Sequence, residues 1–378
     1  MPIDSTVKSG LEGVVAAETR LSSVDGQAGQ LIIAGFPVEE LASRATFEET
    51  IYLLWHMMLP TAEQLADLRQ RLAEHRVLPS ATLDVLRTAA TQQAPTMDLL
   101  RMAASTLSLQ TGSDDPQQGA LTLIACFPTI VAAYWRLRHK QEPVAPREDL
   151  SHAANYLYML SGEEPSAERV RGLETYLNTV VDHGLNASTF TARVIISTQS
   201  DMISAITGAI GALKGPLHGG APGPALDMVF EIGAVERAEA FLRAKLDRGE
   251  RLMGFGHRVY KVRDPRADVL SAAAARLYRT DGDTRLYDLA RQVEHLAIEL
   301  LAEYKPGRNL QTNVEFYTAL LLYGLDLPTE LFTPTFAISR VVGWTAHCFE
   351  QLALNRIIRP QSVYNGDKDG RWVPLAER

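Results

Sequence analysis

Apolar residues recur along this chain with the period of a helix, and each such run is cut off by glycine, proline or a capping residue. That pattern admits helices packed on helices and little else. TFEE at 46–49 is a capping box, and the helix behind it puts Ile51, Leu54, Trp55 and Met58 on one side. TAEQ at 61–64 is a second box, opening an amphipathic helix to about His75. Further helices are expected near 80–91, 97–110, 117–139, 147–160 (with Gly162 as its stop), 166–182, 187–200 and 201–213. Beyond a central loop they fit 223–232, 236–248, 265–279, 283–304, 313–323 and 333–354. Only residues 11–36 look extended. There VDGQAGQLIIAG sets an Asp25–Gly26 turn signal beside a short β-prone run and predicts a small hairpin. With no strand series and no βαβ alternation, the expectation is an all-α protein. At 378 residues it splits into two lobes or domains.

The central loop, KGPLHGGAPGP at 214–224, packs turn-formers around His218. Glycine and proline make it irregular backbone held in a set shape, with no bulky neighbour to block a ligand. The bland alternative is a rigid interhelix loop with an incidental histidine. Three downstream or neighbouring clusters weigh against it. MGFGHRVYK at 253–261, followed by VRDPR, sets His257 behind a glycine, and makes Asp264 a natural N-cap with Arg266 in the first helical turn. A helix N-terminus favours anions, and arginine adds a bidentate carboxylate clamp. Lys261, Arg263 and Arg266 are otherwise a solvated basic face. DHGLNAST at 182–189 offers His183 and a capping Asn186. Finally, Glu315 starts an apolar helix after the Lys305–Arg308 loop, where it could simply complement the helix dipole. Arg340 interrupts the apolar run FAISRVVGW, and a guanidinium there needs an anionic partner.

Three loop histidines, one carboxylate and several arginines suit proton abstraction beside a carbonyl, followed by carbon–carbon bond formation. Metal-assisted hydrolysis competes, but no HExxH or other ligand spacing is present. The formal net charge of −8 argues against a nucleic-acid or anionic-membrane binder. Cys126 and Cys348 read as buried free thiols in a reducing compartment. MPIDSTVKSG shows no secretory signal, and 116–135 reads as a core helix rather than a membrane span, so a cytoplasmic protein is expected.

These motifs resemble the citrate synthase family. GLEGVVAAET, APREDLSHAANYLYML, HGLNASTFTAR, LKGPLHGGA, GFGHRVYKVRDPR, LFTPTFAISRVVGW and RPQSVY follow in family order over essentially the whole chain. The resemblance extends to the 2-methylcitrate synthases. It implies an all-helical homodimer with a discontinuous large domain, 1–218 and 327–378, and a smaller mobile domain, 219–326. The implied reaction condenses acetyl-CoA with oxaloacetate to citrate and CoA. The alternatives are propionyl-CoA as substrate, or a non-catalytic paralogue that binds CoA or a dicarboxylate. Motif by motif, His218 would stabilise the thioester enolate, Glu315 would be the base and His257 would polarise the ketone. His183, Arg266 and Arg340 would hold oxaloacetate, with Phe336 packing nearby and Arg359 arriving from the partner subunit. Arg251, Leu252, Met253, Gly254, Phe255, Gly256, Lys261 and Arg308 would meet CoA. No metal and no cofactor beyond the substrates is implied.

One departure stands out. The family usually reads Pro-Asn-Val-Asp-Phe, and this chain reads Thr312-Asn-Val-Glu315-Phe. The base gains a methylene and roughly 1.5 Å of reach, and Thr312 in place of proline is expected to loosen the helix start.

Overall fold

The computed structural model describes residues 7–110, 115–219, 222–257 and 259–378. The motif residues Gly220, Ala221 and Arg258, and the start of the segment read for a secretory signal, lie outside them. Sixteen α-helices and one small sheet are seen among the described residues. The sheet is antiparallel: β1 (Ser22–Asp25), β2 (Gln30–Ile33) and β3 (Phe36–Pro37), with Ser22 opposite Ile33 and Asp25 opposite Gln30. Leu31 and Ile33 seat it on the core. Helix α1 (Val38–Arg44) follows directly and was not singled out in the sequence.

Both capping boxes form. Thr46 and Glu49 open α2 (Phe47–His56), and Thr61 and Gln64 open α3 (Ala62–Glu74). Met58 departs from expectation. α2 stops at Met57 in a left-handed conformation, so Met58 lies beyond the helix and is exposed. Helices α4 (Ser80–Thr91), α5 (Thr96–Thr106) and α6 (Pro116–Arg138) come next. α6 is long and apolar enough to cross a membrane, yet 16 of its residues are buried in the core, Cys126 among them. Residues 147–151 are not helical, contrary to the pattern. Pro143 and Pro146 break the backbone upstream, and Ser151 caps α7 (His152–Ser161) by accepting from the Ala154 N–H. Gly162 ends α7 in the left-handed region, as read.

Helix α8 (Ala167–Val180) leads to a short irregular stretch, then α9 (Ala187–Ile196) and α10 (Met202–Leu213) pair closely. α9 stops four residues short of the expected Ser200, and Asp201 caps α10. Beyond the central loop come α11 (Pro222–Ile232), α12 (Val235–Asp247), α13 (Pro265–Asp281), α14 (Arg285–Tyr304) and α15 (Val314–Gly324). Here α11 and α13 lie on α15, and α12 lies on α14. α13 also lies against α8 and α1, which brings its N-terminus to the end of α8. The last helix, α16 (Phe332–Leu354), packs against α6, α9 and α10. Both thiols, Cys126 on α6 and Cys348 on α16, are buried and unpaired, and burial pushes each up to about 12.

Candidate active site

Residues 181–186, between α8 and α9, carry His183. Asp182 pins this turn from inside the protein. It is fully buried and accepts from Ser22 Oγ (2.5 Å) and His347 Nε2 (3.2 Å), while Ser22 Oγ accepts from the Gly184 N–H (2.8 Å). His183 Nε2 then lies 3.1 Å from the Tyr260 hydroxyl. Asn186 caps α9 by accepting from the Thr189 N–H, as its position suggested.

His218 follows α10. Its Nε2 is 2.8 Å from Ser188 Oγ, and that oxygen accepts from Trp344 Nε1 at 3.0 Å. Ser188 thus ties the loop histidine to α9 and α16. The Gly219 carbonyl accepts from Thr333 Oγ1, a second tie to α16.

His257 is held by backbone. The Val259 and Tyr260 N–H groups, each at 3.1 Å, donate to its Nδ1. Nδ1 is therefore the acceptor, and the neutral ring carries its proton on Nε2. The rings of His183 and His257 stand 6.0 Å apart, edge to face. Asp264 caps α13 and pairs bidentately with Arg266, at 3.0 Å from Nε and 2.8 Å from Nη2. The basic group read from the sequence divides. Arg266 is buried, Lys261 is exposed, and Arg263 is committed to Asp268 (2.5 Å) and Glu294 (2.7 Å).

Glu315 sits in the first turn of α15, whose cap Asn313 accepts from the Glu315 N–H. The strand-like segment before it pairs with residues 254–256. The Gly256 N–H donates to the Gln311 carbonyl (2.7 Å), the Asn313 N–H to the Gly254 carbonyl (3.0 Å), and Phe255 bridges Thr312. Gly254 is at φ +86°, and a Cβ there would come within 2.9 Å of Phe316 Cδ2. Only glycine lets the two segments approach so closely. Thr312 does not loosen the helix start. It is buried, and its hydroxyl donates to Glu294 Oε1 at 2.7 Å, with Arg263 and Tyr317 completing the same cluster.

Arg340 on α16 is buried, donates from Nε to the Val180 carbonyl (2.8 Å), and lies 4.5 Å from the Phe336 ring centroid. Among the described residues no carboxylate forms an ion pair with it, so the anionic partner its setting calls for is not a protein carboxylate in direct contact. Asp182 supplies the strongest counter-charge, acting through space.

These side chains line one cavity of about 480 Å³: His183, His218, His257, Arg266, Glu315, Phe336 and Arg340 all face it. A second cavity of about 490 Å³ is lined by the whole 251–256 stretch, Lys305 and Arg308. His257 and Glu315 line both, so the two meet there. Lys261 lines neither, and Arg359 is exposed on the chain beyond α16. A family model described as citrate synthase, C-terminal domain, matches residues 10–361. A citrate synthase of Haloferax volcanii is 44% identical over 98% of this chain and 99% of its own.

The chain belongs to the citrate synthase family.

A 2-methylcitrate synthase of Mycobacterium tuberculosis is 40% identical over 95% of this chain and 91% of its own. A citrate synthase of Thermoplasma acidophilum, solved as a ternary complex with carboxymethyl coenzyme A and oxaloacetate, superposes with a TM-score of 0.87 at 31% identity, covering 98% of this chain and 99% of that one. The all-α architecture is thus that of the citrate synthases.

Electrostatics suit a family member. Burial, aided by Arg340, brings His218 down to about 4, and burial with Arg266 does the same to His257. His183 is driven well below its usual value by burial and by Arg266 and Arg340. All three rings are therefore neutral at pH 7. Burial raises the Glu315 carboxyl, partly offset by Arg266. Burial also lowers Arg340 to about 10, against the pull of Asp182. Arg266, although buried, is raised by its Asp264 pair.

The groups facing the cavity stand out in the sequence, and those behind them do not. Ser188, Asp182, Tyr260 and Trp344 all lie inside the sequence motifs. Nothing in their spacing says that Ser188 meets His218, that Trp344 meets Ser188, that Tyr260 meets His183 or that Asp182 meets Ser22.

Proposed function

We propose that this protein condenses acetyl-CoA with oxaloacetate to give citrate and CoA. The observation that carries the reading is the meeting of two cavities at His257 and Glu315. One is lined with arginine and imidazole and suits a dicarboxylate. The other is lined by a glycine-turn backbone with Lys305 and Arg308 and suits a nucleotide thioester.

In this reading the ionised Glu315 takes a proton from the acetyl methyl group, and His218 donates a hydrogen bond to the thioester oxygen. That donation requires a proton on His218 Nδ1. Ser188 has one hydroxyl proton, within reach of both Asn186 Oδ1 (2.8 Å) and His218 Nε2 (2.8 Å). Given to His218, it leaves Nδ1 as the donor. The enolate carbon then attacks the ketone carbon of oxaloacetate, while His257 Nε2–H donates to the ketone oxygen as charge develops there. His183, Arg266 and Arg340 hold the carboxylates, with Phe336 stacked under Arg340. Water then cleaves the citryl thioester, releasing citrate and free CoA thiol, and makes the sequence irreversible in practice.

Residues 219–326 form the mobile unit in this proposal, closing over the cleft to exclude water. Arg359, exposed beyond α16, reaches the neighbouring site in a homodimer. The buried free thiols fit a reducing, cytoplasmic setting.

Steady-state kinetics with oxaloacetate and either acetyl-CoA or propionyl-CoA test the substrate. A higher kcat/KM for acetyl-CoA is expected, and preference for propionyl-CoA overturns the assignment. One methylene is worth about 1–3 kcal/mol in such a pocket. A preparation that binds oxaloacetate yet releases no CoA thiol overturns catalysis itself. Glu315→Asp reports on the base. A site built around glutamate loses about 10²-fold, because a displacement near 1 Å is costly at the reacting atom.

A further inference from the structure

The turn between β1 and β2 is not a free hairpin tip. The Lys261 N–H donates to the Gly26 carbonyl at 2.8 Å. A Cβ on Gly26 would meet the Val259 carbonyl oxygen at 2.2 Å, and one on Gly29 would meet Val262 Cγ2 at 2.6 Å. Gly26 is outside the left-handed region, so it is contact and not backbone conformation that demands glycine there. Asp25 Oδ1 accepts from the Gln27 and Ala28 N–H groups, at 2.9 and 2.8 Å, and stiffens the turn.

The other end of β1 is equally engaged. Ser22 Oγ donates to Asp182 and accepts from the Gly184 N–H, on either side of His183. A strand of four residues therefore touches the turn that carries His183 at one end. At its other end it touches the segment whose N–H groups hold His257. We propose that β1 and its turn are a strut that sets the spacing of these two imidazoles, with Gly26 as a positioning residue for His257. The proposal rests on the ketone-polarising role assigned to His257. Pressed against Gly26, the 259–261 backbone keeps two N–H groups on Nδ1 and so keeps Nε2–H turned to the substrate.

The test uses the full-length Gly26→Ala protein, assayed for CoA thiol release beside the wild type. The strut predicts that kcat falls about 10²-fold and that KM for oxaloacetate rises. KM for acetyl-CoA should rise less than KM for oxaloacetate, because among the described residues no backbone hydrogen bond joins the 251–256 stretch itself to the hairpin, and the two are linked through His257 and Lys261. A kcat within twofold of wild type, or equal changes in both KM values, overturns the strut. Gly29→Ala with and without Val262→Ala gives a second arm that needs no Gly26 variant. Recovery of most lost activity in the double variant supports the strut. Absence of recovery assigns the loss to the left-handed φ of +66° at Gly29 and overturns it. A wild-type protein that condenses nothing fails the functional reading itself, a result distinct from either variant's behaviour.

Discussion

His218 and His257 face one cavity, are both neutral and are both brought down to about 4, yet they are held by opposite means. His218 leans on a side chain, Ser188 Oγ, itself fixed by Trp344 and Asn186. His257 leans on two backbone N–H groups. A side-chain prop can be deleted by one substitution, and its proton can be redirected. A backbone prop survives any substitution but proline, which removes the N–H itself, and otherwise fails only when the segment moves. The ring proposed to meet the thioester is thus set by local hydrogen bonding, and the ring proposed to meet the ketone by the placement of a whole loop.

The largest effect should come from the carboxylate that faces the same cavity. Glu315→Gln removes the base and should lower kcat by about 10²–10⁴-fold, measured by thiol release; retention of more than a tenth of the rate would break the scheme that both histidines serve. Next, His218→Ala and His257→Ala should each cost about 10²–10³-fold as lost oxyanion donors. If only one of them matters, the two rings do not share the reaction. Smaller again, Ser188→Ala should lower kcat about tenfold and destabilise the fold by about 1–3 kcal/mol, because Trp344 Nε1 and His218 lose their shared partner. Thermal unfolding beside kinetics checks both parts. No side-chain truncation at Val259 or Tyr260 can do the same to His257.

The gentlest probe is pH. Both histidines have folded values near 4 against an ordinary 6.5. Between these limits the unfolded chain binds the extra protons, so stability is full above about pH 6.5 and declines as pH falls toward 4. His218→Asn and His257→Asn should each flatten that decline in denaturant titrations. The rate also has an acid limb of its own. It should rise with pH through the raised Glu315 value, since only the ionised carboxylate is a base.

Much of this was legible in the chain. The caps at Thr46, Thr61, Asn186 and Asp264 are contacts within a turn of helix, so residue type and spacing suffice to find them. The motifs likewise named His183, His218, His257, Glu315, Arg266 and Arg340. The start of α7 was misjudged because apolar periodicity outweighed Pro146 and the better cap at Ser151. Thr312 was misjudged for another reason. Its substitution for proline read as lost stiffness, whereas its hydroxyl joins a buried cluster with Glu294, 18 positions away.

The amino-acid order by itself determined the helices, their ends and the inventory of chemical groups, because those depend on hydrogen bonds and periodicity spanning a few residues. Only packing decided that Ser188 supports His218 from 30 positions away and that Trp344 reaches Ser188 from 156. It also decided that a hairpin near the N-terminus bears on the segment behind His257. Such contacts arise from how buried helix faces fit together, and no local pattern encodes that fit.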